Sequence, residues 1–119
     1  MSPTPKVTRY RWSEMKADSP MAGLARRRVI GAQAMLSSVE LREGCVVPTH
    51  AHENEQFTCV LRGRLRFGLG SEEVEVGAGE VLHLPANVPH SAQALEATWV
   101  LDVFSPPSEG TGIDQVHRG

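Results

Sequence analysis

Gly44-Cys45-Val46-Val47-Pro48-Thr49-His50-Ala51-His52-Glu53-Asn54-Glu55-Gln56, closed by Gly63, is the stretch that decides how this chain reads. His50 and His52 stand two apart, and Gln56 follows on the same parity. In an extended strand, residues i and i+2 point to one face with Cα atoms about 6–7 Å apart. Imidazoles so placed can share an ion at about 2.1 Å from each nitrogen. A further histidine, His90, lies in a separate proline-rich turn, Pro85-Ala86-Asn87-Val88-Pro89-His90. Four nitrogen or oxygen donors of this kind suit one divalent metal. An HxH pair by itself occurs by chance on many surfaces; the ordered recurrence of a second histidine segment gives the pair weight.

Outward from that stretch the chain reads as short strands. Met35, Ser37, Val39 and Leu41 alternate with other residues, as do Leu65, Phe67 and Leu69 with Arg64, Arg66 and Gly68. Period two is the strand signature. Turns fall at Glu43-Gly44, Arg62-Gly63, Gly70-Ser71 and Gly77-Ala78-Gly79. The last clear strand is Thr98 to Phe104, ended by Pro106-Pro107, which cannot donate to a ladder. Eight to ten strands without a helix-period segment predict an all-β sandwich or barrel. Residues 1–22 read as an extended arm with one short strand near Val7–Trp12, residues 23–105 as the barrel, and residues 106–119 as a polar tail.

Length and composition bound the rest. At 119 residues the chain makes one domain and buries roughly two-thirds of its unfolded surface, enough for a core without staples. A formal net charge of -2 gives a nucleic-acid role no electrostatic support. Cys45 and Cys59 form no CxxC pair and read as reduced thiols. Neither a signal-peptide run nor an 18-residue apolar segment is present, so the chain is expected in the cytoplasm with no membrane partner.

The two histidine segments resemble the motifs of the cupin superfamily. The first cupin motif, G-x5-H-x-H-x3,4-E-x6-G, is matched from Gly44 to Gly63 with Gln56 at the acidic position. The second, G-x5-P-x-G-x2-H-x3-N, is matched from Gly79 to His90, with Asn87 for its second glycine and Ala94 for its final asparagine. Asparagine tolerates positive φ, so Asn87 is a mild departure. The resemblance covers about residues 24–104 and implies a double-stranded β-helix, or jelly-roll, barrel with one divalent metal inside. It implies His50, His52, Gln56 and His90 as ligands. Zn, Fe, Ni, Mn and Cu all accept such donors. Glutamine in place of glutamate leaves the ion its full charge, which favours Lewis-acid work on an anionic substrate. Gln56 outside the coordination sphere is the other reading.

Within that superfamily, His52-Glu53-Asn54-Glu55-Gln56, Pro85 to His90 and Leu101-Asp102-Val103-Phe104-Ser105-Pro106 look like the small single-domain KdgF cupins of pectin breakdown, which linearise 4,5-unsaturated uronate sugars. The resemblance implies Asp102 as the catalytic residue and Phe104 as a substrate contact. Val100, Asp102 and Phe104 share one strand face, where a carboxylate among apolar neighbours can act as general acid or base; a solvated or backbone-bonded Asp102 is the alternative. That family has an arginine shortly after the strand, where this chain has Ser108. Arg26 and Arg28, on one face of an early strand, are then the candidates to meet a substrate carboxylate, or else an exposed strand face. Arg62, Arg64 and Arg66 read as a solvated edge, His83 as a structural or pocket-wall residue, and His117 as surface. The implied partners are a small anionic substrate and a second copy of the chain in a homodimer. An Fe or Ni dioxygenase and a non-catalytic ligand-binding cupin are the competing readings.

Overall fold

The computed structural model describes residues 5–107. Ser108, His117 and the rest of the expected tail lie outside that range. Among the described residues the chain forms ten strands: β1 (Asp18–Met21), β2 (Leu24–Ile30), β3 (Met35–Leu41), β4 (Val46–His50), β5 (Glu55–Arg62), β6 (Arg64–Leu69), β7 (Glu72–Gly77), β8 (Val81–Leu84), β9 (His90–Ala94) and β10 (Thr98–Ser105). Two antiparallel sheets face one another, one ordered β1-β2-β3-β10-β5-β8 and the other β4-β9-β6-β7. This is a single jelly-roll domain. No helix among the described residues is long and apolar enough to cross a membrane.

The strand expected near Val7–Trp12 does not form. Trp12–Glu14 makes one 3-10 turn instead, and the first strand comes at Asp18–Met21, paired with β2. Across that hairpin, both carboxylate oxygens of Asp18 accept from the guanidinium of Arg26, its cross-strand partner, at 3.2 and 2.7 Å. The same guanidinium holds the Asp18 carboxyl below its ordinary value. Local strand propensity carries no trace of such a clamp.

Between the sheets lies an apolar core. Its members are the inward residues of each strand, among them Leu24, Val39, Leu41, Val47, Val60, Leu65, Phe67, Val76 and Val100. Leu65 and Phe67 are buried while Arg64 is exposed, as their alternation predicts. Full burial of each such side chain is worth about 1.5–3 kcal/mol.

One turn residue closes the β5–β6 hairpin in a way only glycine allows. Gly63 has φ +93, and a Cβ built there would lie 2.5 Å from the Ala97 carbonyl oxygen and 2.7 Å from Thr98 Cα. Both obstacles are backbone and cannot swing aside. Gly63→Ala is therefore expected to destabilise the fold by more than about 2 kcal/mol, read as a lower urea midpoint. An unchanged midpoint would contradict this account of the turn.

Candidate metal centre

Three histidines meet at one end of the barrel. His50 is the last residue of β4 and lies opposite His90, the first residue of β9. The pairing slips by one residue between Val47 and His50, a bulge that re-aims the end of β4. His52 lies beyond β4, in the loop before β5. Strand parity therefore does not align it with His50, as the spacing suggested. The loop does so: the Asn87 N–H donates to the His52 carbonyl at 2.8 Å. Asn54, buried in the same loop, donates its amide to the Pro106 carbonyl and so ties the loop to the end of β10. Asn87 itself adopts φ 66, the left-handed backbone its motif position demands.

Each ring is held the same way. Nδ1 of His50 bonds the Pro48 carbonyl at 2.8 Å, that of His52 the Asn54 carbonyl at 3.0 Å, and that of His90 the Val88 carbonyl at 2.9 Å. A carbonyl only accepts, so each Nδ1 carries the proton and each Nε2 presents its lone pair. One ligand atom from each histidine lies within 4.8 Å of the others. Burial pushes the His50 ring down to about 4 and lowers His90 as well, with the neighbouring imidazoles adding to the effect. Both rings are neutral at pH 7, the form that binds metal.

Gln56 completes the ring of donors. It lies on the inner face of β5, with Oε1 at 3.0 Å from His52 Nε2. Its amide nitrogen donates to Thr58 Oγ1 at 2.9 Å and reaches Asp102 Oδ1 at 3.4 Å. These bonds turn the carbonyl oxygen towards the histidines. With Nδ1 of His52 donating to the Asn54 carbonyl, the lone pair on its Nε2 faces a lone pair of Gln56 Oε1. A cation between the two relieves that repulsion, so the donor set fits a metal held by His50, His52, His90 and Gln56.

Asp102 sits behind Gln56 on the inner face of β10 and is buried. Its Oδ1 accepts from Thr58 Oγ1 at 2.6 Å. Burial lifts its carboxyl to about 6, and the bonds from Thr58 and Gln56 only partly oppose that rise. Phe104, on the same face, meets the His52 ring edge-on at 5.7 Å between centroids. Thr58 is the site residue that sequence reasoning missed. Its parity with Gln56 was the available signal; within Phe57-Thr58-Cys59-Val60 it reads as ordinary β-strand composition.

His50, His90, Gln56, Thr58, Asp102 and Phe104 line a cleft that continues into the apolar barrel. Arg26 and Arg28 are not among its lining residues. Arg26 is buried on β2 against Asp18, and Arg28 lies 3.7 Å from the same carboxylate. His83 is on the outer face of β8, 2.7 Å from Glu55 and stacked on Phe57.

Comparison with known proteins agrees with this geometry. A family model described as "Cupin domain" matches residues 37–104. The structure of KdgF from Halomonas sp. superposes with a TM-score of 0.80 at 26% identity, covering 86% of this chain and 97% of that one. An RmlC-like cupin from Shewanella frigidimarina superposes with a TM-score of 0.78 at 22% identity, covering 84% and 91%. A formate complex of oxalate decarboxylase from Lactobacillus farciminis gives 0.78 at 23% identity, covering 92% of this chain but 36% of that one. A search of curated proteins found no match. Both histidine segments fall inside a family match spanning more than half the sequence, and the chain therefore belongs to the cupin domain family, as a small cupin resembling KdgF.

Proposed function

We propose that this cupin is a metal-dependent isomerase or lyase acting on a small anionic, sugar-like substrate, with linearisation of a 4,5-unsaturated uronate as the specific reaction. The observation that carries the proposal is the juxtaposition through Gln56. Its carbonyl faces the histidine cluster and its amide nitrogen faces a buried carboxyl held near neutrality. The likeness to KdgF and the run Leu101 to Pro106 support the choice of substrate.

His50, His52, His90 and Gln56 would hold one divalent ion, which supplies Lewis acidity towards substrate oxygens when bound. Linearisation needs a proton taken from the anomeric hydroxyl as the ring bond to that carbon breaks. It needs a proton delivered to C4 as the enol becomes a ketone. Asp102 is poised to exchange a proton in both directions near pH 7, because its carboxyl lies near 6. Thr58 fixes one oxygen of that carboxyl by donating to it. Phe104 braces His52 and walls the cleft on that side.

Incubation of metal-loaded protein with 4,5-unsaturated galacturonate, followed by ultraviolet absorbance of the conjugated double bond, tests the proposal. Loss of absorbance is the expected result. A flat trace with metal confirmed in the protein would reject the substrate. Oxygen uptake in the same mixture would redirect the chemistry to a dioxygenase.

A further inference from the structure

On the inner face of the six-stranded sheet, register lines up one polar row across four strands. Arg28 on β2 lies opposite Ser37 on β3, Ser37 opposite Asp102 on β10, and Asp102 opposite Thr58 on β5. Asp102 is thus flanked by a hydroxyl residue on each neighbouring strand. Side chains directly opposite across such a pair have Cβ atoms about 4.5–5.5 Å apart, within reach of a hydrogen bond.

The two flanks are used unequally. Both side-chain hydrogen bonds that Asp102 accepts fall on Oδ1, from Thr58 at 2.6 Å and from Gln56 at 3.4 Å. Ser37 is 1% exposed, and among the described residues its Oγ is the one buried side-chain polar atom without a hydrogen-bond partner. A hydroxyl closed off from solvent with its bond unmade is unfavourable, and its neighbours show what can complete it. Water cannot, because Ser37 Oγ has less than 1 Å² of surface open to it. Arg28 cannot take the hydroxyl hydrogen, since a guanidinium only donates. The side-chain acceptor left in the row is the second carboxyl oxygen of Asp102. We infer that Ser37 is a positioning residue for Asp102, its hydroxyl donating to Oδ2 as that of Thr58 donates to Oδ1.

Two soft torsions separate the present arrangement from that bond. Ser37 hops between staggered χ1 wells, and χ2 of an aspartate is broad. Held by Thr58 alone, the carboxyl can swing about its Cβ–Cγ bond. Held from β5 at one oxygen and from β3 at the other, its plane is fixed. Asp102 lines the cleft, so fixing the plane fixes the direction in which the carboxyl meets a bound molecule. The role of Asp102 as acid or base rests on the proposed function; its contact with Ser37 does not.

A double-mutant cycle on the metal-free protein tests the contact without any substrate. Urea midpoints are compared for the parent, Ser37→Ala, Asp102→Leu and the double variant, with circular dichroism to confirm that each is folded. Ser37→Ala is expected to lower the midpoint of the parent. Beside Asp102→Leu, where no carboxyl remains to accept, it should leave the midpoint unchanged or raise it. Equal shifts in the two backgrounds would overturn the inference. So would a midpoint raised by Ser37→Ala alone, the mark of a hydroxyl that stays unpartnered. Turnover of the uronate by the metal-loaded protein gives a second reading. Ser37→Ala should lower kcat about tenfold, the scale of one hydrogen bond to a charged acceptor, with KM and metal content held. Ser37→Thr, which keeps the hydroxyl, should recover most of that loss. A kcat equal to the parent's in Ser37→Ala would reject the positioning role. A parent protein that turns over no uronate would instead reject the proposed reaction, and the cycle would still decide the contact.

Discussion

Replacing His90 by alanine is expected to empty the metal centre. His90 is the most buried of the three histidines, and its ring is locked by the Val88 carbonyl. Its loss leaves His50, His52 and Gln56 around a gap that water must fill. Removing an outer partner of a ligand typically costs 10–100-fold in metal affinity. Removing a ligand itself should exceed that, so a loss of more than about 100-fold is expected. Metal content after dialysis, measured beside the parent protein, checks this. Turnover of the uronate should fall to background in parallel. His83→Ala, on the outer face of β8, should keep its metal. Full metal content in His90→Ala would remove the histidine cluster as the binding site.

The second large effect concerns Asp102, and it has two readouts of opposite sign. Asp102→Asn keeps the size of the side chain and an oxygen able to accept from Thr58, but cannot carry the exchangeable proton. Metal binding should persist while turnover falls about 10²–10⁴-fold, the usual worth of a positioned acid or base. Stability should move the other way. Burial raises the folded carboxyl from 3.8 to about 6, so the folded state holds this proton more tightly than the unfolded chain does. The carboxyl is therefore no burden below the unfolded value, becomes one as pH rises, and costs its full amount above pH 6. A rise of that size corresponds to roughly 3 kcal/mol. Metal-free Asp102→Asn should thus gain up to about 3 kcal/mol over the parent at pH 8, with the gain fading towards pH 4. Urea melts at the two pH values measure it. Unaltered turnover would remove Asp102 from the chemistry, and a gain independent of pH would remove the buried carboxylate as its cause.

What was legible in the sequence was what local spacing encodes. Ser37, Val39 and Leu41 announce an inner strand face, and they are buried as expected. The G-x5-H-x-H and P-x-N-x2-H segments announced a metal site, and their histidines converge. Even the departure at Asn87 was readable, since its positive φ follows from the glycine it replaces. Pairings between particular side chains were not legible. Nothing near Asp18 says that its carboxylate will clamp Arg26, and nothing near Val7 says that the chain will turn at Trp12 instead of pairing there. His52 was aligned with His50 for the wrong reason, because the hydrogen bond from Asn87 lies in another part of the chain. Thr58 escaped notice because its donor role exists only once β10 brings Asp102 opposite it.

The register of His50 with His90 has a kinetic corollary. Between them the chain runs through all of β5, β6, β7 and β8. No hairpin of neighbouring strands contains both residues, so local folding cannot assemble the ligand set. Contacts this distant in sequence form late and slowly, because a long loop must close before they stabilise anything. Metal uptake during refolding would then serve as a stopwatch on the closing of the barrel, started by dilution from denaturant and stopped when β4 meets β9.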